Sequence, residues 1–201
     1  LRDCEYKIVD DAGKSLPEKI NGNIKIRGAN VTKEIYRDVN TTNEIIDSDG
    51  WLSTGDCGAV IDNNLIITGR KKEIIIINGQ NYYPNDIENI IIQGGNFDLG
   101  KIVACGAINK NTQNDQLLVF VLYKSDLMVF KSIAEEIRRI VIQQLNLEID
   151  HIIPIKKIPK TTSGKIQRIK LSHDYQEGVY SDYLIANQAD TKITNSDEVL
   201  R

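Results

Sequence analysis

Three short segments hold residues whose types and spacing could do chemistry. Trp51-Leu52-Ser53-Thr54-Gly55-Asp56 places a carboxylate directly after a glycine turn. A carboxylate there can accept two hydrogen bonds from a vicinal diol such as a ribose. It can equally be a turn-forming aspartate, a common use of that residue type. Gly69-Arg70-Lys71-Lys72-Glu73 sets three cations ahead of an apolar run, and the chain continues through Asn78-Gly79-Gln80-Asn81-Tyr82-Tyr83-Pro84-Asn85-Asp86-Ile87-Glu88. Taken alone, charge between two strands is a solvated turn. Pro159-Lys160-Thr161-Thr162-Ser163-Gly164-Lys165-Ile166-Gln167-Arg168 is a small polar loop, flexible by composition, that presents Lys165 where a phosphate could be met. Its spacing is not that of the Gly-x-x-x-x-Gly-Lys-Ser/Thr phosphate loop. What it supports on its own is an anion-binding lysine.

The elements that must position these residues fall into two unequal parts and a tail, and together they predict an α+β chain. Residues 1–70 are short alternating runs broken by turns. Tyr6–Val9 precedes Asp10-Asp11-Ala12-Gly13, and Ile24–Arg27 ends at Gly28. Ala59–Ile61 and Leu65–Thr68 flank Asp62-Asn63-Asn64, which reads as a hairpin. Such a series predicts a small β-barrel or sandwich-like subdomain. Residues 71–175 predict a compact α+β domain in the order β-α-β-β-α-β. Glu73–Ile77 reads as a strand ended by Asn78-Gly79. Pro84 suits the first turn of a helix running to about Gln93, with Ile87, Ile90 and Ile91 on one face. Ile102–Ile108 and Leu117–Tyr123 read as strands. Phe130, Ile133, Ala134, Ile137, Val141 and Leu145 recur at helical spacing and are expected to be core. His151–Ile158 is a last strand before the Lys165 loop and a short helix. Residues 176–201 are polar and predict a tail or linker. The join near Arg70-Lys71-Lys72 is short, as a hinge would be.

Composition narrows the function classes. The 201 residues are 41% hydrophobic and 26% charged, an ordinary core-forming balance. With 25 Lys plus Arg against 28 Asp plus Glu the net charge is -3, and no dense basic stripe favours a nucleic-acid partner. The longest apolar run, Leu117–Tyr123, is far short of the roughly 20 residues of a membrane span. Cys4, Cys57 and Cys105 are widely spaced and suit neither a disulfide framework nor a zinc site. A reduced, cytoplasmic protein is expected, with no metal ligands in this chain. His151 and His173 lie near element ends with no partner spacing for metal or acid–base work, and a surface or capping role is expected for each. The chain opens at Leu1 rather than Met and directly on strand-like sequence, as a fragment of a longer protein would.

In this order and spacing the three segments resemble the adenylate-forming superfamily: acyl-CoA synthetases, fatty acyl-AMP ligases, luciferases and the adenylation domains of peptide synthetases. Trp51–Asp56 is similar to its Thr-Gly-Asp motif, Gly69–Glu73 to its Gly-Arg hinge motif, and Pro159–Lys165 to its Pro-Lys-Thr-x-Ser-Gly-Lys motif. The resemblance covers nearly all of residues 1–175 and corresponds to the C-terminal portion of such enzymes. It implies that Asp56 holds the ribose hydroxyls of ATP, with Arg70 near the same ribose. It implies that Lys72 is the pivot of a mobile lid, and that Lys165 bridges the carboxylate substrate, the ribose and the α-phosphate. The loop at Gly79 and Gln80 then replaces Lys165 for attack by a thiol. Gly79–Glu88 most resembles fatty acyl-AMP ligases, which often carry Gly-Arg-Asn-His-Tyr-Pro-x-Asp-Ile-Glu; here Gln80 replaces the Arg and Tyr82 the His. The implied substrates are ATP and a carboxylic acid, by resemblance a fatty acid, and the implied acceptor is an acyl carrier protein. A CoA ligase, or a non-catalytic module that docks a carrier protein, are the alternatives. The phosphate loop, acyl tunnel and Mg site would lie in an N-terminal adenylation half upstream, so the chain alone is expected to be inactive.

Overall fold

Alternating apolar and polar side chains build four antiparallel strands: β1 (Cys4–Val9), β2 (Gly22–Gly28), β3 (Leu52–Ile61) and β4 (Asn64–Arg70). They lie in one sheet in chain order. Ile8, Val9, Ile24, Cys57 and Ala59 are its buried apolar side chains. The β3–β4 hairpin turns on Asp62 and Asn63, whose φ values of 50° and 60° match the twist of the flanking strands. The computed structural model describes residues 3–95, 97–110 and 112–184. The chain divides into two units, Leu1–Lys72 and Glu73–Arg201.

The barrel expected for residues 1–70 is, among the described residues, an open sheet with β1 and β4 at its edges. Four strands are fewer than the about five to eight that small closed barrels use. Helix α1 (Val39–Ile45) has no counterpart in the sequence reading because it buries no residue and so has no apolar stripe. It is set by its cap, where the Asp38 carboxylate accepts the Thr41 N–H at 2.9 Å.

A single 3-10 turn, Lys71–Glu73, joins β4 to the next strand. The strand expected from Glu73 is shorter than its apolar run: β5 is Ile75–Ile77, and it pairs with β6 (Gln80–Tyr82). Asn78 and Gly79 are the turn of this hairpin, with φ of 52° and 76°. Then follow α2 (Pro84–Gly94), β7 (Ile102–Ile108), β8 (Asp115–Leu122), α3 (Leu127–Leu145), β9 (His151–Ile155) and α4 (Arg168–Gln176). Pro84 is in the first turn of α2, where its absent N–H costs nothing.

The sheet β7-β8-β9 is antiparallel between β7 and β8 and parallel between β8 and β9, with α3 as the crossover. Both of its faces are covered, which explains the unbroken apolar run in β8. On one face Ile102, Ala104, Leu117, Val119 and Val121 meet Ile87 and Ile91 of α2 and Phe130, Ile137 and Val141 of α3. On the other, Val103, Cys105, Leu118, Phe120 and Ile153 meet Ile158 and Leu171. The helical stripe from Phe130 to Leu145 is therefore core, with Ile133, Ala134 and Leu145 at its partly buried margin.

Composition assigns residues 176–201 to a tail, but as far as Leu184 the chain packs. Tyr180 stands 5.2 Å from Phe120 between ring centroids, and Tyr183 and Leu184 join the same apolar surface. Residues 185–201 of that expected tail lie outside the described residues.

Candidate functional site

In the first unit the middle of β3 and the end of β4 bring Asp56 and Arg70 opposite one another in register. Arg70 Nε donates to Asp56 Oδ1 at 3.0 Å. Gly55, at φ 77°, turns the chain there, and a Cβ on it would sit 3.8 Å from Arg70 Nη2. Thr54 Oγ1 accepts the Asp56 N–H at 3.0 Å and donates to the Ile24 carbonyl, so the backbone under the carboxylate is held from β2. The Arg70–Asp56 pair is largely exposed, where such pairs contribute about 0–1 kcal/mol. Its stabilising value is small, and both groups remain accessible to a polar ligand.

Lys72 is the exposed centre of the 3-10 turn, and its two neighbours are anchored. Lys71 Nζ pairs with Asp11 at 2.6 Å within the first unit, and Glu73 pairs with Arg168 at 3.0 Å within the second. In the second unit Gly79 and Gln80 form the exposed tip of the β5–β6 hairpin. The Tyr82 hydroxyl donates to Gln80 Oε1 at 2.8 Å. The two positions at which this chain departs from the fatty acyl-AMP ligase pattern thus bind each other.

Lys165 is exposed at the end of a loop that is less free than its composition implies. The Thr161 N–H donates to the Lys165 carbonyl at 2.8 Å, and the Gly164 N–H to the Thr161 carbonyl at 2.9 Å. Thr161 Oγ1 accepts the Lys165 N–H at 3.1 Å. Lys160 and Ile166 form a β-bridge, and the Gln167 N–H reaches the Pro159 carbonyl at 3.0 Å. Ile166 packs into the second apolar cluster. The stem is held and the ammonium projects from it.

The sequence reading assigned no role to a network just below this loop. Glu88 is 8% exposed on the buried stripe of α2. Its carboxylate accepts the Ala104 N–H at 2.9 Å and a two-point contact from the Arg168 guanidinium, at 2.9 and 3.0 Å from Nη2. Burial pushes the Glu88 carboxyl up from its ordinary range, while Arg168 and the Ala104 N–H act the other way. The one sequence signal was a carboxylate amid the apolar stripe of a helix, which calls for a partner.

Other groups are inert by environment. Cys57 and Cys105 are buried free thiols, and burial pushes Cys105 up to about 12. His151 is held below its ordinary value by burial and lies against Tyr175, 5.6 Å between centroids. His173 is exposed beside Asp174. Among the described residues, no group of three His, Cys, Asp or Glu side chains is arranged to hold a metal, and no helix is long and apolar enough to cross a membrane. A cavity of about 380 Å³ in the first unit, lined by Arg27, Val31, Thr32, Lys33 and Ile46 among others, contains none of the predicted site residues.

No family model matches the chain. The medium-chain fatty-acid–CoA ligase of Escherichia coli (strain K12) is 32% identical over 179 residues, which is 89% of this chain and 31% of that protein. The structure of McyG A-PCP complexed with phenylalanyl-adenylate matches with a TM-score of 0.84 at 28% identity, over 99% of this chain and 31% of that one. A structure from a study of fatty acyl-adenylate ligases of E. coli and L. pneumophila matches with a TM-score of 0.76 at 27% identity, over 90% of this chain and 32% of that one. This chain is homologous to a C-terminal portion of the adenylate-forming ligases. It spans about a fifth to a third of the length of the curated relatives it matches. Within this chain, the Thr54-Gly55-Asp56 and Gly69-Arg70 segments belong to the open β-sheet, and the Lys165 loop and Gly79 hairpin to the α+β unit.

Proposed function

We propose that this chain is the C-terminal part of an ATP-dependent acyl-AMP ligase that activates a fatty acid and passes it to the thiol of an acyl carrier protein. The observation that carries this reading is that the exposed Asp56–Arg70 pair and the projecting Lys165 occur in one chain. A pure docking module has no use for either. In the first half-reaction a carboxylate oxygen bonds to the α-phosphorus as the bond to pyrophosphate breaks. Negative charge gathers from both partners, and a fixed cation is worth most there. Lys165 supplies that cation, Asp56 accepts the ribose hydroxyls and Arg70 lies beside the same sugar. In the second half-reaction a thiolate attacks the acyl carbon and AMP leaves, with the Gly79–Gln80 hairpin in place of Lys165. On this reading the Mg site, the phosphate loop and the acyl tunnel belong to the upstream half. The β1–β4 sheet is then one wall of a barrel-like subdomain completed upstream, and residues 71–175 are the lid. Three free cysteines suit a reducing cytoplasm.

ATP–pyrophosphate exchange with a panel of fatty acids tests this reading. The complete ligase is expected to exchange, and the 201-residue chain alone is not. Robust exchange by the chain alone would sink the division of labour. The acceptor is tested separately by offering carrier protein and CoA together to preformed acyl-AMP. The resemblance of Gly79–Glu88 to fatty acyl-AMP ligases leads us to expect carrier loading to prevail. Fast acyl-CoA release without carrier loading would instead make the enzyme a CoA ligase.

A further inference from the structure

The Lys165 loop leads directly into the first turn of α4, and Arg168 opens that helix. Its guanidinium uses all three nitrogens. Nη1 donates to Glu73 Oε2 at 3.0 Å, and Nη2 donates to Asn85 Oδ1 at 2.9 Å and to both oxygens of Glu88. Nε donates to Glu88 Oε1 at 3.2 Å. The same Glu88 oxygen accepts the Ala104 N–H of β7. The Arg168 and Glu88 side chains keep 12% and 11% of their exposure, so this is an ionic cluster withdrawn from water. Buried ion pairs of this kind are a poor way to gain stability, since well-packed apolar residues often serve as well or better. What a five-donor planar fork supplies instead is fixed geometry.

We propose that Arg168 is the positioning residue for Lys165: it locks the exit stem of the Lys165 loop to α2, to β7 and to Glu73 beside the turn at Lys72. This rests on the reading of Lys165 given above. The link from Arg168 to Lys165 is short and stiff. Gln167 bonds back to Pro159, and Ile166 bridges to Lys160, so fixing residue 168 fixes both stems of the loop. Lysine at position 168 would keep the charge that Glu88 requires but lose the fork. The loop would then be free to shift by a fraction of an ångström.

The test is a double-mutant cycle in the complete ligase with Arg168→Lys and Lys165→Ala, each half-reaction measured separately. Arg168→Lys alone is expected to lower kcat for acyl-AMP formation about tenfold or more, because a 1 Å misplacement alone can cost about a hundredfold. Transfer from supplied acyl-AMP should persist. In the Lys165→Ala background, Arg168→Lys should cause no further loss of adenylation, since it acts through a side chain already gone. Multiplied losses in the double variant, or equal loss in both half-reactions, would overturn the proposal. If Arg168→Lys does not fold, Asn85→Ala removes one acceptor while Glu88 stays paired. It should show the same pattern at smaller size, and an unchanged adenylation rate there would count against the proposal. Normal adenylation by Lys165→Ala would overturn the reading of Lys165 itself, a result distinct from failure of the cycle.

Discussion

Lys165→Ala in the complete ligase is expected to slow acyl-AMP formation by at least about a hundredfold, the usual scale for loss of one preorganised charge stabiliser. Transfer of the acyl group from supplied acyl-AMP to the thiol should survive. The asymmetry follows from where charge develops. Adenylation draws two anions together at the α-phosphorus, whereas thiol attack expels AMP from an acyl carbon. The variant should fold normally. The loop is braced by the Thr161 hydroxyl and by backbone hydrogen bonds from Thr161, Gly164 and Gln167, none of which uses the lysine side chain. An exposed substitution of this kind changes stability by about 0.5 kcal/mol or less. Rapid-quench measurement of acyl-AMP gives the first half-reaction, and thioester formation from supplied acyl-AMP gives the second. Equal loss in both would contradict an exchange of Lys165 for the Gly79 hairpin between the two steps.

Lys72→Pro in the complete ligase is expected to separate the same two half-reactions by holding the lid in one orientation. Lys71 is tied to Asp11 and Glu73 to Arg168, so on the proposed reading a rigid-body turn of the lid would fall on the backbone around Lys72. Proline fixes φ near -65°, within the range of the 3-10 turn that Lys71–Glu73 adopts. The remaining strain falls on Lys71, which proline pushes away from helical dihedrals. If the held orientation is the adenylating one, acyl-AMP formation persists and thiol transfer falls by about tenfold or more. Were Lys72 only a solvated turn residue, both half-reactions would change little, or both would fall together through misfolding. A melting curve identifies the misfolded case, and normal thiol transfer by a well-folded variant would remove the hinge assignment.

Much of the fold was legible because it is written in local pattern. Asp62-Asn63 and Asn78-Gly79 marked tight turns, since such pairs tolerate the positive φ that hairpins need. Phe130, Ile137 and Val141 marked the buried face of α3, and Pro84 the start of α2. The motifs around Asp56, Arg70 and Lys165 stood out as residue types at short spacing. Other features depended on where the chain returns in space. Helix α1 is held by the Asp38 cap without an apolar face, so periodicity passed over it. By composition Tyr180, Tyr183 and Leu184 belong to a polar tail; it is the face of the β7-β8-β9 sheet that also carries α4 which receives them. The openness of the β1–β4 sheet is a matter of strand number and pairing, which alternation within a strand does not report. Arg168 meets Glu88 across 80 residues and Glu73 across 95. No local rule links charges at such separation. The sequence by itself marked Lys165 as an anion-binding lysine at the end of a small polar loop; only the tertiary structure decided that the buried Glu88 is paired by Arg168, the residue that opens α4 behind that loop, because the two meet through folding and not through local spacing.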